Sequence, residues 1–193
     1  MPLRLTPLLQ KRLTRRAQAM IESSLAYFPE LDGKSITVGY TRKHLGSATV
    51  VYRKGIISQL VIRLKVRKLS YQTIGHELTH LVQGLASGAR RAGSPVRGDN
   101  IPSGEKQCDI WTLARDKIFC DDPPTYIRMP RVMRERWPAY AEAVRRLCLA
   151  AIEKRKSHRL YIRWLEAEIR KLPKAPRQEK PPSPAQLVLP FMI

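Results

Sequence analysis

Apolar residues along the chain follow two different patterns, and each pattern predicts one type of secondary structure. In four stretches they recur at steps of three and four residues, as in amphipathic helices: residues 6–28, 70–86, 103–115 and 138–172, the last being one long helix or two. In three shorter stretches they alternate or run together, which is typical of strands: residues 36–40, 48–52 and 57–64. This order predicts an α+β fold in which a small antiparallel sheet packs on an N-terminal helix and on the helix at 70–86, followed by a mostly helical C-terminal part.

Length and composition predict one compact domain with extensions. The chain has 193 residues, of which 43% are hydrophobic, and this is enough for a single core. We assign residues 1–130 to the folded domain, residues 131–172 to a basic helical extension, and residues 173–193 to a proline-rich, disordered tether that ends in a docking peptide. No apolar run is long enough to cross a bilayer, the N-terminal region lacks the apolar core of a signal peptide, and the cysteines lack Cys-x-x-Cys spacing. These features favour a cytoplasmic protein with reduced thiols.

The net charge of +20 is concentrated towards the two ends of the chain. Residues 1–68 hold 14 Lys and Arg against 3 Asp and Glu, residues 69–130 hold 7 against 7, and residues 131–193 hold 15 against 6. A neutral centre between basic flanks predicts a nucleic-acid partner, bound through non-specific phosphate contacts. An acidic protein partner, or a charge that only maintains solubility, is the alternative. The residues that we assign to nucleic-acid contact are Arg12, Arg15, Arg16, Lys154, Arg155 and Lys156.

Residues 75–80, Gly-His-Glu-Leu-Thr-His, form the most specific chemical pattern in the chain. Four helical residues advance about 6 Å along the axis and about 40° around it, so His76 and His80 lie on one helix face and can bind one Zn²⁺ together. Glu77 is offset from that pair, where its carboxylate can take a proton from a water on the metal and act as the general base. Ser70 is a suitable N-cap for the helix that this pattern requires.

A third zinc ligand is expected outside this helix, because a catalytic zinc takes three protein ligands and keeps one position for water. Downstream, an amphipathic segment that Ser103 would cap carries Glu105 and Asp109 four residues apart on one face. Glu105 is the expected third ligand, and Asp109 is the carboxylate that orients a ligand histidine. Asp109, Asp99 and Cys108 are the alternatives for the third position.

These residues resemble the gluzincin, or thermolysin-like, zinc peptidases. The sequence His-Glu-Leu-Thr-His at 76–80 is followed, 25 positions after His80, by Glu-x-x-x-Asp at Glu105 and Asp109. The resemblance covers about residues 70–120. It implies a minimal zinc metallopeptidase in which the Glu is the third ligand and the Asp hydrogen-bonds a ligand histidine.

A second resemblance lies upstream of the same helix. Arg42, Leu45 and Gly46, followed by a strand-like run and then the His-Glu helix, are similar to SprT-like metallopeptidases, which are linked to the repair of DNA–protein crosslinks. SprT-like proteins take a third histidine from the loop after the helix, whereas here no histidine occurs between His80 and His158.

Two further features bear on a substrate. Tyr126 follows the second motif in an extended stretch, where its phenol is a candidate oxyanion stabiliser, with a core tyrosine as the alternative. A sheet edge formed by residues 48–52 or 59–63 offers backbone groups that can align a substrate strand by β-addition, with an ordinary sheet edge as the alternative.

The C-terminal peptide is unusually apolar for the end of a flexible segment. It resembles the short peptide by which bacterial repair proteins bind the DNA sliding clamp, and packing back onto the domain is the alternative. The residues assigned to this docking are Gln186, Leu187, Leu189 and Phe191.

Taken together, the motifs predict a zinc-dependent endopeptidase that acts on protein substrates on or near DNA. One alternative resembles the ImmA type, in which a cytoplasmic protease with the same zinc motif cleaves a repressor. Another is a non-catalytic nucleic-acid-binding or adaptor protein with a structural zinc, which would have no need of Glu77.

Overall fold

The computed structural model describes residues 3–54, 56–91 and 101–174. Its N-terminal half contains a four-stranded sheet in the order β1-β2-β4-β3, with β1 at Leu3–Leu5, β2 at Ile36–Tyr40, β3 at Gly46–Arg53 and β4 at Ile56–Leu64. Strands β1 and β2 pair in parallel, as do β2 and β4, whereas β3 and β4 are antiparallel. Seven α-helices accompany this sheet in the described residues, so the predicted α+β class with a helical C-terminal part is confirmed.

The prediction of an antiparallel sheet is wrong, because β1–β2 and β2–β4 pair in parallel and only β3–β4 is antiparallel among the described strands. Strand β4 lies between β2 and β3 and runs parallel to β2. Leu60, Ile62 and Leu64 of β4 point to one face of the sheet and are buried there, whereas Gln59 and Arg63 on the opposite face are exposed. Strand β3 is left at the edge, where most of its residues are half-buried. The three-residue β1 was not predicted.

The helices differ from the predicted ones in their number and in their ends, and the helix at Arg131–Glu135 was not predicted. The first predicted helix is two helices, and so is the stretch at 138–172, while the helix with the His-Glu motif extends beyond residue 86. The bounds are α1 Pro7–Gln10, α2 Arg15–Leu25, α3 Tyr71–Arg91, α4 Glu105–Arg115, α5 Arg131–Glu135, α6 Trp137–Lys154 and α7 Tyr161–Lys171.

Two apolar clusters fill the interior, and α4 contributes to the second while touching the first. The first cluster joins α1, α2 and α3 to the sheet and includes Ile21, Ile62 and Leu78. The second joins α4, α6 and α7. Trp111 of α4 packs against both clusters, which fixes α4 between them.

The start of α3 is capped from two places in the sequence. The Ser70 hydroxyl accepts a hydrogen bond from the Thr73 amide at 3.1 Å, which confirms the predicted cap. The Asp121 carboxylate also accepts from the amides of Tyr71 and Gln72, at 2.8 and 2.9 Å, and these bonds were not predicted. The predicted Ser103 cap of α4 is wrong, because Gly104 occupies the N-cap position.

The structure locates some of the residues assigned to partners but not others. Arg12, Arg15 and Arg16 are exposed at and before the start of α2, and the Arg12 guanidinium lies 4.7 Å from the ring centroid of Tyr40. Among the described residues, no helix has both the length and the apolar content that crossing a membrane requires. Asp99 lies outside the described residues. So does the predicted docking peptide, with Gln186, Leu187, Leu189 and Phe191.

Candidate metal centre

Helices α3 and α4 lie side by side and bring their polar residues together. The buried hydroxyls of Thr79 and Thr112 are 2.9 Å apart, and a Cβ placed on Gly75 would come within 2.6 Å of the Thr112 methyl group. This close approach places the N-terminal turn of α4 opposite His76 and His80 of α3. Their rings are 4.9 Å apart between centroids.

Both histidines direct the same ring nitrogen at Glu105. Glu105 Oε2 lies 3.0 Å from His76 Nε2 and 3.1 Å from His80 Nε2. Burial acts to raise the pKa of Glu105, but the hydrogen bonds and charges of the two histidines outweigh it and lower that pKa overall. The predicted third ligand thus meets the two predicted histidine ligands at one point.

Asp109 fixes the orientation of His76. Its carboxylate is fully buried, and Oδ1 lies 2.8 Å from His76 Nδ1. It also accepts hydrogen bonds from Gln72 Nε2 at 3.1 Å and from the amides of Tyr126 and Ile127, at 2.5 and 3.1 Å. An ionised carboxylate only accepts hydrogen bonds, so His76 Nδ1 carries a proton and Nε2 is free to offer a lone pair when the ring is neutral. Burial acts to lower the pKa of His76, but Asp109 and the nearby glutamates raise it overall.

Gln83 fixes the orientation of His80, as Asp109 fixes that of His76. Gln83 Nε2 donates to the carbonyl oxygen of Pro102 at 2.5 Å and lies 3.4 Å from that of Gly104. Because both partners are acceptors, the amide oxygen must face the other way, where it lies 3.1 Å from His80 Nδ1. His80 Nδ1 therefore carries the proton, and its Nε2 faces Glu105.

Among the described residues, Cys108 is a second candidate to complete a metal site. His76, His80 and Cys108 each offer a ligand atom within 4.8 Å of the others, and such a group could bind a metal ion. The Cys108 sulfur, however, lies 3.2 Å from His80 Nδ1, the nitrogen that already faces Gln83. Burial and the neighbouring carboxylates also raise the pKa of the Cys108 thiol, so the neutral thiol is favoured unless a cation binds.

The donor set formed by the two Nε2 atoms and the Glu105 oxygen fits zinc. Ligand atoms at about 2.1 Å from a tetrahedral zinc are about 3.4 Å from one another. The separations of 3.0 and 3.1 Å between Glu105 and the histidines are close to that value. Imidazole nitrogen and carboxylate oxygen are also ordinary zinc ligands. Of the two candidates, Glu105 faces the Nε2 atoms of both histidines, whereas the Cys108 sulfur lies 3.2 Å from His80 Nδ1.

Glu77 lies beside this group and is 7% exposed. Burial raises the pKa of Glu77 to about 7, while the charge of His76 lowers it and that of Glu105 raises it further. The first residue of β3, Gly46, covers the carboxylate: a Cβ at Gly46 would lie 2.5 Å from Glu77 Oε1 and 2.6 Å from Cγ. The position of Glu77 therefore depends on the absence of a side chain at Gly46.

Two cavities meet at Glu77. The larger, of about 440 Å³, runs along the β3 edge and includes His80 and Glu105 in its lining. The smaller, of about 210 Å³, lies on the side of His44 and Leu45. Gly46, Glu77 and Tyr126 line both cavities.

Tyr126 stands at the mouth of the site and is not a core residue. It is 45% exposed, and its ring stacks on His76 with 5.4 Å between centroids and 22° between planes. Burial and nearby carboxylates raise the pKa of its phenol, which favours the protonated form that can donate a hydrogen bond. Of the two predicted substrate edges, residues 59–63 belong to the central strand β4, and residues 48–52 belong to the edge strand β3.

Three residues of the site were given no role at the site from the sequence: Gln72, Gln83 and Gly46. The two glutamines were detectable, because Gln72, His76, His80 and Gln83 follow one another at steps of four, four and three and so share one helix face. Gly46 gives no such local signal, since its role depends on the approach of β3 to α3.

Gly46→Ala should lower peptide hydrolysis by about 10²-fold, because a catalytic group displaced by about 1 Å can lose that much. Zinc content and the melting temperature should stay close to those of wild type. The matched control is Gly39→Ala in β2, where the nearest atom to a new Cβ is the flexible Arg63 side chain at 3.4 Å. Equal hydrolysis by the two variants would show that Glu77 tolerates the added methyl group.

No family model, curated protein or solved structure matches this chain. The evidence for function therefore comes from the residues of the site and their arrangement.

Proposed function

We propose that this chain is a zinc-dependent endopeptidase in which His76, His80 and Glu105 bind zinc and Glu77 is the general base. The observation that carries the proposal is the meeting of both histidine Nε2 atoms at one Glu105 oxygen, at 3.0 and 3.1 Å. A buried carboxylate, Glu77, lies next to this group and lines the same open cleft. A structural metal site needs converging ligands but has no need of Glu77 or of an open cleft.

The reaction is hydrolysis of a peptide bond. When bound, zinc lowers the pKa of a water molecule and polarises a carbonyl oxygen. Glu77 accepts a proton from the attacking water as its oxygen bonds to the carbonyl carbon, and returns that proton to the leaving amine as the carbon–nitrogen bond breaks. Tyr126, exposed beside His76, is placed to donate a hydrogen bond to the carbonyl oxygen as it gains negative charge.

The substrate is an extended protein segment that pairs with the edge of β3. An edge strand has unpaired backbone groups on one side, and a peptide can add to them as a further strand. Ser47, Ala48, Val50 and Tyr52 of β3 line the larger cavity together with Glu77 and His80. An added strand would therefore pass directly over the candidate base.

The setting of the reaction is on or near DNA. The +20 net charge and the resemblance to SprT-like proteins support proteolysis of the DNA–protein crosslink type, with the docking peptide at the C-terminus holding a sliding clamp. An ImmA-like protease that cleaves a repressor would use the same residues. A non-catalytic adaptor with a structural zinc would bind the metal and nucleic acid but cleave nothing.

Removal of zinc tests this function. The full chain should hydrolyse an unfolded protein such as casein, lose activity to background with 1,10-phenanthroline, and recover it when zinc is restored. Circular dichroism of the zinc-depleted protein controls for unfolding. Hydrolysis that persists in protein shown to be free of metal would refute the proposal, and zinc binding without cleavage of any protein, with or without DNA, would favour the adaptor.

A further inference from the structure

A basic pocket lies at the turn between α6 and α7, apart from the cleft. It has a volume of about 520 Å³, and its lining includes Arg155, Lys156, His158 and Arg159 from the turn. Gln107 of α4 lines it from the opposite side. Since Glu105 belongs to the same helical turn as Gln107, the pocket and the candidate metal centre share the start of α4.

Two of the three Lys and Arg side chains that line the pocket have no carboxylate partner among the described residues. None of the described residues that line it is acidic. Within the described part of the chain, Arg155 and Arg159 form no salt bridge, and Arg155 is steadied by the ring of Trp111, 5.6 Å from its guanidinium. Lys156 is different, because its ammonium group lies 2.7 Å from Glu153.

Gln107 adds a hydrogen-bond donor to this charge. It is only 8% exposed, and its amide oxygen accepts a hydrogen bond from the hydroxyl of Tyr161. Its amide nitrogen has no hydrogen-bond partner among the described residues, although the side chain lines the pocket. This nitrogen is not itself buried, so it is open to the pocket and can donate a hydrogen bond to an acceptor there.

We propose that this pocket binds a backbone phosphate of nucleic acid, with Arg155 and Arg159 as the charged contacts and the Gln107 amide as a donor. A phosphate oxygen matches both needs, because it is an anion and a hydrogen-bond acceptor. The inference deepens the nucleic-acid part of the proposed function and is independent of the peptidase part. Of the predicted nucleic-acid contacts Lys154, Arg155 and Lys156, the proposal keeps Arg155 as a phosphate contact. Lys154 is not included, because its ammonium group lies over the ring of Trp164, 5.0 Å from the centroid.

The proposal is tested by binding of fluorescent single-stranded oligothymidylate to the full chain, measured by anisotropy over a range of KCl concentrations. The double variant Arg155→Ala and Arg159→Ala should weaken binding about 10-fold or more at moderate salt. It should also reduce the slope of log affinity against log salt by about 1.4, which is about 0.7 for each lost phosphate contact. The matched control removes two exposed arginines of α7, Arg163→Ala and Arg170→Ala, and should weaken binding less than about 3-fold by loss of net charge alone. Hydrolysis of a short free peptide should be the same in both.

Three results would overturn the proposal: equal weakening in the two double variants, unchanged binding in the pocket variant, or displacement of the oligonucleotide by polyglutamate as readily as by unlabelled oligonucleotide. The last result would assign the pocket to acidic proteins. Competition by inorganic phosphate at millimolar concentration separates recognition of a single phosphate from recognition of a polymer. If the double alanine variant does not fold, the single charge reversal Arg159→Glu, at an exposed position, replaces it and should weaken binding at least as much.

Discussion

Replacing Glu77 by glutamine should lower peptide hydrolysis by about 10²- to 10⁴-fold, the usual contribution of a general base. Glutamine has the size of glutamate but cannot accept the proton of the attacking water. Zinc content should not change, because Glu77 is offset from the point where the two histidine Nε2 atoms and Glu105 meet. Nor should the fold suffer, since an amide at a 7% exposed position avoids the cost of burying a charge.

The control for this prediction is Glu22→Gln on α2, which removes a carboxylate far along the chain from the site. Its hydrolysis should equal that of wild type. If Glu77→Gln retains full activity at full zinc content, the peptidase proposal fails and the adaptor becomes the better account. If the variant loses zinc instead, Glu77 is itself a ligand and the assignment of roles is wrong.

Much of the centre was predictable because its spacing is local. Helical periodicity alone places His76 and His80 on one face and leaves Leu78 and Leu81 to the core, where both are 0% exposed. The Ser70 cap was predictable because its hydroxyl bonds the amide of Thr73, only three positions along the chain. Glu105 and Asp109 were placed correctly relative to each other for the same reason, and their approach to α3 was expected from the motif.

The strand order, the second cap of α3 and the orientation of Gln83 depend on contacts between distant parts of the chain. The periodicity of apolar residues does not predict such contacts. Strand β4 lies between β2 and β3 and pairs in parallel with β2, which joins segments that are not consecutive strands and makes the sheet mixed rather than antiparallel. The Asp121 cap joins residues some fifty positions apart. Gln83 is oriented by the backbone of Pro102, beyond a stretch of chain whose path the sequence does not predict.

Glu105→Gln should remove zinc from the protein, and Cys108→Ser should not. The neutral amide of glutamine is a weak zinc ligand, so affinity should fall by more than the roughly 10- to 100-fold that loss of an outer hydrogen-bond partner costs. The Glu105 side chain is 49% exposed, so the change should leave the melting temperature of the metal-free protein nearly unaltered. Loss of zinc could not then be attributed to unfolding.

Cys108→Ser is the matched comparison, because Cys108 lies one helical turn from Glu105 and is the competing third ligand. The serine keeps the size of the side chain and removes the sulfur. If Cys108 only packs beside His80, this variant should bind zinc and hydrolyse peptide as wild type does, with a modest loss of stability for placing a hydroxyl at a 0% exposed position.

The most direct measurement is the zinc content of wild type, Glu105→Gln and Cys108→Ser, determined by mass spectrometry after dialysis against the same buffered free zinc. Zinc binding by His76, His80 and Glu105 predicts about one zinc per chain in wild type and in Cys108→Ser, and almost none in Glu105→Gln. Full zinc in Glu105→Gln with loss of zinc from Cys108→Ser would contradict it, because the metal would then be held by His76, His80 and Cys108.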